Sequence, residues 1–454
     1  MSEVVMMSSL IEQDWEQDLI HTFDLNSDFS MKTVTLFDQT VKVYYLSSLV
    51  DLTSTLVTWD QIISATGEED HSLARDLLPL EFTVDGSYQE VADSLVKGKL
   101  IAKDPDSGNP LVLDADMWPL NRSISASENE NPIQSSIDGF TEKLDTNIGL
   151  VRRRISNKEL VVESYILGTN SHREIALIYM KNAASPKVVQ SVKERLSRNK
   201  HKDVIHVNGL LQVLEQPKYS LVPTYLTSEL PGEAAQNLLD GKVVILMDLF
   251  PNAFSFPAIV KDLWSFKLDL NYPYLYLLFF RCIRIAGIAF AIVMPGLYVV
   301  LNSVNPELLR IQLAISVAKS REGVPYPSFV EVMLMLLLME MVIEATIRLP
   351  KNIGPTITMV GGIILGQAIV QARLVSNLLI IILAATTISN FTMAGYLNTI
   401  GIRIFKYVVL VLSSIYGILG LQVAMIWLFI YFAALKTFSV PYLSLSTKGK
   451  SPDD

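Results

Sequence analysis

The stretch 320–350 reads SREGVPYPSFVEVMLMLLLMEMVIEATIRLP, and three glutamates interrupt its apolar run at 329–347. They are Glu331, Glu340 and Glu344. A charged side chain at the centre of a membrane helix costs on the order of 2.5–3.5 kcal/mol, whereas each large apolar residue returns only about 0.3–0.6 kcal/mol. Such a helix inserts stably only when its carboxylates contact other helices or water. The glutamates are therefore the first candidates for chemistry.

Glu340 and Glu344 are four residues apart and share one helix face, whereas Glu331 lies on the opposite face near the start of the helix. Arg348 follows Glu344 at the spacing of an intrahelical ion pair. Two interpretations remain open. In the first, Glu344 pairs with Arg348 at the membrane edge, and Glu340 is protonated and hydrogen-bonded. In the second, Glu340 and Glu344 form an acidic stripe beside a water-filled path for cations or protons.

Polar side chains in later apolar runs favour an internal path. Gln367 and Gln371 are four apart in GGIILGQAIVQA, whose three glycines would let helices approach closely. Asn390 lies within the run TTISNFTMAG. We predict that these three amides line an ion path together with Glu340 and Glu344. Hydrogen bonding between helices is the alternative role for each amide.

The chain divides into a polar part and an apolar part. Charged residues crowd the first 270 positions, and a mean hydropathy of +0.35 with 50% hydrophobic residues argues against an entirely soluble protein. The first twenty residues lack the basic and apolar regions of a signal peptide, so we expect the polar part to stay in the cytoplasm. A net charge of −9 gives no support for nucleic-acid binding.

The polar part repeats itself. VKVYYLSSLV at 41–50 and IALIYMKNAA at 175–184 both predict a strand and a turn, and ADSLVKG at 92–98 matches AQNLLDG at 235–241, a short helix ending at glycine. We therefore predict two tandem α/β modules followed by an all-α polytopic membrane bundle. The predicted segments are a first module at 1–122, a linker at 123–136, a second module at 137–270, a transmembrane domain at 271–445 and a polar tail at 446–454.

A helix is predicted at the start of the second module, where Phe140, Leu144, Ile148 and Val151 recur at helical intervals. Three arginines follow at 152–154, near its carboxyl end, where positive charge is favourable. We expect them to cap the helix and to be solvated, with contact to anionic lipid headgroups as the alternative.

The apolar part contains about five runs long enough to cross a bilayer, at 285–304, 329–347, 353–372, 374–402 and 407–435. The segment 305–328 is either amphipathic or re-entrant, so the predicted count is five or six. Lys and Arg fall on both sides of successive spans and do not fix the topology. We expect this segment, with Arg321, Glu322 and Pro325, and Arg348 beyond it, to brace the helices or couple them to other domains.

Motifs of catalysis are missing. The five histidines form no HExxH, the single cysteine excludes a CxxC metal site, and no GxGxxG, GxxxxGK[ST] or GxSxG occurs. We therefore predict that the protein is not an enzyme and that it needs no metal or other cofactor.

Several segments, in this order, closely resemble the A subunit of GerA-type spore germinant receptors. The resemblance covers the chain from about residue 28 to 445. It rests on TNIGLVRRRI at 146–155, LLDGKVVIL at 238–246, SREGVPYPSFVE at 320–331, IGPTITMVGGIILGQAIVQARLVS at 353–376 and LKTFSVPYL at 435–443.

This resemblance implies a receptor subunit in the inner membrane of a bacterial endospore, working with a transporter-like B subunit and a lipoprotein C subunit. It also implies a homo-oligomer that conducts ions when a nutrient germinant binds, with Glu340 and Glu344 on or near the conduit. Leu336 stands where family members usually carry an acid, which leaves a paralogue such as stage V sporulation protein AF as an alternative subtype. A secondary transporter and a structural membrane scaffold are the alternative functions.

Overall fold

The computed structural model describes residues 15–36, 39–66, 82–84, 88–105, 108–118, 138–349, 354–392 and 396–447. Two α/β modules precede a region of apolar helices, so the predicted fold class is confirmed. The predicted linker at 123–136 lies outside the described residues, as does most of the tail at 446–454. The exact domain boundaries therefore stay predictions.

The first module is an antiparallel sheet with the strand order β1-β2-β4-β5-β3. Its strands are β1 (Phe29–Leu36), β2 (Gln39–Leu46), β3 (Phe82–Val84), β4 (Leu100–Lys103) and β5 (Pro110–Leu113). Its described helices are α1 (Trp15–Phe23), α2 (Leu52–Thr66) and α3 (Tyr88–Val96). The apolar faces of β2 and β4 meet α1 and α3 in one buried core.

The second module repeats this topology with the order β6-β7-β9-β10-β8. Its strands are β6 (Leu160–Leu167), β7 (Arg173–Met180), β8 (Leu226–Ser228), β9 (Val243–Met247) and β10 (Ala253–Phe256). Its helices are α4 (Leu144–Arg154), α5 (Pro186–Arg198), α6 (Val207–Val213) and α7 (Pro231–Leu239). Gly98 after α3 and Gly241 after α7 have φ angles of 88° and 85°, so both helices end on left-handed glycines as the repeat predicts.

Helix α4 packs on the second module as predicted, with Phe140, Leu144, Ile148 and Val151 in one buried cluster. Arg152, however, is only 1% exposed. It reaches neither solvent nor lipid, because its guanidinium binds a carboxylate of the first module. The expectation that all three arginines cap α4 and are solvated is therefore wrong for Arg152.

The helical region begins with α8 (Tyr274–Val299), which continues through a π-helical turn at Val300–Val304. It continues with α9 (Ile311–Ser320), α10 (Ser328–Arg348), α11 (Gly354–Gln371), α12 (Asn377–Asn390) and α13 (Tyr396–Ala434). Among the described residues, two helical segments are long and apolar enough to be candidate membrane spans by length and composition, Tyr274–Val304 and Thr399–Ala434, and the second contains a break at Gly417. Shorter apolar helices lie at Met359–Gln371 and Asn377–Asn390.

Helix α13 folds back on itself at Gly417, where φ is 60° and ψ is −136°. Phe405 packs against Trp427, Tyr431 and Phe432 from beyond this break, with ring centroids 5.5–6.2 Å apart. At a rise of about 1.5 Å per residue, a straight helix would hold residues 405 and 427 about 33 Å apart. The two halves of α13 therefore form an antiparallel hairpin.

Two predicted spans are wrong as a result. The predicted run at 407–435 is divided by the reversal into a first arm at 396–416 and a second arm at 418–434. The predicted run at 374–402 is divided as well, because α12 ends at Asn390 and α13 begins at Tyr396. Neither the reversal at Gly417 nor the break after Asn390 could be predicted, because the sequence is apolar and uncharged at both points.

Both ends of the helical region connect to the second module. The second module precedes α8, and the second arm leads into a hairpin of β11 (Lys436–Thr437) and β12 (Val440–Pro441). Phe438, at the tip of this hairpin, is buried in the core of the second module.

Close helix packing occurs on α8. A Cβ atom at Gly287 or Gly296 would lie 2.8 Å from a hydroxyl oxygen of a neighbouring segment, so a larger residue would require that neighbour to shift. At Gly361, Gly362 and Gly366 of α11 such an atom would meet nothing within 4 Å. Among the described residues of one chain, no segment therefore makes the predicted close approach at these three glycines.

Candidate functional site

Glu340 on α10 is bound by two cations from the first arm of α13. Its carboxylate oxygens contact the Arg403 guanidinium and, at 2.9 Å, the Lys406 ammonium. The side chains of Glu340, Arg403 and Lys406 are 22%, 13% and 5% exposed, so the cluster is largely sealed. The two cations on α13 are therefore the partners of the Glu340 carboxyl group, and the contact joins two helices.

The charges of this cluster do not cancel. One carboxylate faces two cations, which leaves a local charge of +1, and the Arg403 Nε atom is buried without a hydrogen-bond partner among the described residues. In surroundings of low dielectric constant, such pairs are strong only while their geometry is maintained. The cluster therefore fixes α10 against the first arm and depends on their exact separation.

Glu344 and Arg348 form the intrahelical pair that their spacing predicts, with 2.6 Å between Arg348 Nη2 and Glu344 Oε1. The Glu344 side chain is 56% exposed and that of Arg348 78%. An exposed pair of this kind contributes little to stability in water. The predicted acidic stripe is thus divided, because Glu340 is paired internally with α13 and Glu344 faces outward.

Glu331 is fully buried and binds residues from three other segments. Its Oε1 accepts a hydrogen bond of 2.6 Å from the Ser376 backbone N–H, at the start of α12. The Tyr298 hydroxyl of α8 lies 3.4 Å from Oε2, and so does Arg321 Nε, which follows α9. A carboxylate at the N-terminus of α12 is also favoured by the helix dipole.

The spacing of Glu331 predicts only that it lies on the opposite face of the helix from Glu340 and Glu344, and it indicates no function. The available signal was Arg321 in the same motif, SREGVPYPSFVE, which supplies the matching cation. Of the predicted bracing residues, Arg321 lies beside Glu331, whereas Glu322 and Pro325 are exposed. Leu336 is 1% exposed in the apolar core of the bundle.

The three predicted amides do not converge with Glu340 on one surface. Gln367 and Gln371 are exposed on α11, a helix with few buried positions, such as Ile369. Asn390, at the end of α12, is 2% exposed, and its Oδ1 has no hydrogen-bond partner among the described residues. In a single chain the predicted path residues thus occupy separate environments.

The part of the chain that the structure describes brings no three His, Cys, Asp or Glu residues together in a metal-binding group. The sites described above are therefore ion pairs between side chains of the protein itself. Their chemistry is electrostatic, and it is suited to holding helices together or to interacting with mobile ions.

Comparisons with known proteins agree with the motifs. A family model described as Bacillus/Clostridium GerA spore germination protein matches residues 17–453. Spore germination protein XA of Bacillus anthracis is 31% identical over 361 residues, or 80% of this chain and 73% of that protein. Spore germination protein B1 of Bacillus subtilis (strain 168) is 36% identical over 307 residues, or 67% of this chain and 63% of that protein.

The chain is also similar to a solved structure. It is the crystal structure of the N-terminal domain of the A subunit of the Bacillus megaterium spore germinant receptor GerK3. The match covers 54% of this chain and 93% of that one, with 19% identity and a TM-score of 0.40.

Proposed function

This chain belongs to the Bacillus/Clostridium GerA family of spore germination proteins, and from that premise we propose that it is the A subunit of a nutrient-responsive germinant receptor. In this proposal several copies assemble with a transporter-like B subunit and a lipoprotein C subunit in the spore inner membrane. The soluble modules face the spore core. The assembled helices form a conduit that passes ions once a germinant binds.

The observation that carries the proposal is the exposure of Gln367 and Gln371 on α11. A buried amide without a hydrogen-bond partner costs several kcal/mol in hydrocarbon, roughly 4–8 on the cyclohexane scale. Gln367 and Gln371 lie one turn apart on the exposed face of α11. Their amides would be costly in contact with lipid, so they favour a helix that faces water or a second copy of the chain. Open space around Gly361 and Gly362 on the same helix leaves room for a closely approaching neighbour.

The Glu340 cluster supports a closed arrangement of this conduit. Both oxygens of the Glu340 carboxylate face cations of the first arm, Arg403 and Lys406, and the local charge of +1 repels a further cation. Separating α10 from the first arm would release the Glu340 carboxylate toward the interior. Opening is therefore proposed to require disruption of these ion pairs.

A secondary transporter is less well supported. Such transporters place substrates at half-helix ends near the membrane midplane. The break at Gly417 instead reverses the chain into a hairpin, so it does not create two half-helices in line. A structural scaffold would use the Glu340 pairs only to hold helices together, and the experiment below distinguishes it from a conduit.

The test is cation flux into liposomes that contain this chain with its B and C subunits, measured before and after nutrient addition. Gln371→Leu is expected to reduce nutrient-triggered flux severalfold, because it removes a polar group from the proposed path. The control is Val370→Leu on the neighbouring exposed position, which keeps the surface apolar. Glu340→Gln, which leaves two cations without a carboxylate, is expected to change cation selectivity.

Assembly is checked by the mass of the detergent-solubilised complex. If both variants assemble normally and conduct like the Val370→Leu control, the chain is not the conduit. A scaffold would show a different pattern. Glu340→Gln would then destabilise the complex, but the complexes that still assemble would pass ions with unchanged selectivity.

A further inference from the structure

The loop around Leu221 in the second module lies on both arms of the α13 hairpin. Its backbone N–H donates a hydrogen bond of 2.7 Å to the Tyr431 hydroxyl on the second arm. Its carbonyl oxygen packs on Gly401 of the first arm, where an added Cβ atom would be only 2.5 Å away. The module thus contacts the membrane hairpin through backbone atoms, which have little freedom to adjust.

A second connection is the segment 435–447 after the second arm, which we call the strap. Its tip, Phe438, has a φ angle of 49° and is 2% exposed within the core of the second module. The Phe438 ring meets the Phe256 ring edge-on at 5.7 Å, and the Arg195 guanidinium lies 4.7 Å from its centroid. Removing this side chain from the core would expose a large apolar surface and lose the cation–π contact.

Hydrogen bonds from the second module continue along the rest of the strap. The Val260 N–H donates to the Tyr442 carbonyl at 2.8 Å. Further on, the Thr447 hydroxyl donates to the Asp240 carbonyl at 2.6 Å. The strap is therefore held at its tip, near its middle and toward its end.

We propose that the second module and the α13 hairpin move as one body, joined by the strap and by the Leu221 loop. Contacts on both arms and along the strap oppose rotation as well as separation. Arg403 and Lys406 follow Gly401 on the first arm, so a displacement of the module is carried directly to the cations that bind Glu340. The inference goes beyond the proposed function, because it concerns relative motion and holds whether or not the chain conducts ions.

The test measures a distance between two spin labels by pulsed electron spin resonance on the full chain in lipid nanodiscs. Cysteines replace the exposed residues Lys187 in the second module and Ile415 near the end of the first arm, and Cys282→Ser removes the native thiol. The parent is expected to give one narrow distance. Gly401→Ala, whose methyl group would collide with the Leu221 carbonyl, is expected to broaden and shift it.

Val411→Ile is the matched control, because it also adds one carbon atom to the first arm, but at an exposed position, and it is expected to leave the distance unchanged. Tyr431→Phe is a milder variant that keeps the aromatic ring and removes only the hydroxyl acceptor. It is expected to broaden the distance without unfolding the chain. A broad distribution in the parent, or a narrow one retained in both Gly401→Ala and Tyr431→Phe, would overturn the proposal.

Discussion

Arg152 donates two hydrogen bonds, each 2.6 Å long, to the two carboxylate oxygens of Asp28, and so joins the second module to the first. The side chains are 2% and 6% exposed. Asn26 accepts a further bond from the same guanidinium, and the Ser48 hydroxyl donates to Asp28. A buried bidentate pair with these additional partners fixes both distance and angle between the modules.

Replacing Arg152 with alanine is expected to destabilise the folded chain by about 3–5 kcal/mol, because Asp28 would remain buried without its cation. The measurement is the urea concentration at which half of the detergent-solubilised protein is unfolded. Unfolding is monitored by tryptophan fluorescence. Arg153→Ala is the matched control, since that neighbouring side chain is exposed. If Arg152→Ala and Arg153→Ala had equal midpoints, the ion pair between Arg152 and Asp28 would contribute nothing to the stability of the folded chain.

Glu331→Gln is expected to lower the unfolding temperature of the helical region. The variant keeps the size of the side chain but removes the charge that faces Arg321 and the start of α12. Losing one partner of a buried pair typically costs on the order of 3–5 kcal/mol. Glu322→Gln, at an exposed position of the same motif, serves as the control. The bracing function assigned to Glu331 fails if the two variants unfold at the same temperature.

The first module should lose stability in acid through Glu16. Hydrogen bonds from Lys103 and Tyr44 lower the pKa of Glu16 from its ordinary value of 4.5 to about 2. Because the folded-state pKa is the lower one, the stabilisation is present above pH 4.5 and is lost as pH falls toward 2. The stability difference between the parent and Glu16→Gln is therefore expected to shrink across this interval.

That difference is measured as the shift in urea midpoint between the two proteins at a series of pH values. Other carboxylates titrate equally in both proteins, so their contributions cancel in the comparison. A shift that stays constant from pH 6 to pH 2 would contradict the assignment of this acid sensitivity to Glu16.

Features that depend on residues close together in the sequence could be predicted from local patterns. The Glu344 and Arg348 pair follows from a spacing of four residues, and the ends of α3 and α7 follow from glycines that adopt left-handed conformations. The tandem modules were predicted in the same way, because alternating strands and short helices recur in the same order. These features depend on neighbours within a few residues.

Tertiary partners were not predictable from the same patterns. Glu340 meets Arg403 across 63 residues of sequence, and Arg152 meets Asp28 across 124. The local spacing of apolar and polar residues indicates neither contact. The hairpin of α13 was missed for a different reason, because Gly417 stands in a run whose apolar composition is the same on both sides and which carries no proline or charge at the turn.

Gly417 should tolerate alanine far less well than a glycine on α11. Its φ of 60° and ψ of −136° are almost exclusive to glycine, and an added Cβ would overlap Asn305 Oδ1. That oxygen accepts a 3.0 Å hydrogen bond from the Ile418 N–H and so caps the second arm. Backbone strain of about 1–3 kcal/mol and a lost cap of about 1 kcal/mol are therefore expected for Gly417→Ala.

The same substitution at Gly362 provides the comparison, because it is helical and its Cβ would meet nothing within 4 Å. Alanine favours a helix over glycine by about 1 kcal/mol, so Gly362→Ala is expected to be neutral or stabilising. Thermal unfolding of both variants in detergent measures the contrast. If Gly417→Ala unfolded at the temperature of Gly362→Ala, the reversal would not depend on this glycine, and α13 would have to turn by another means.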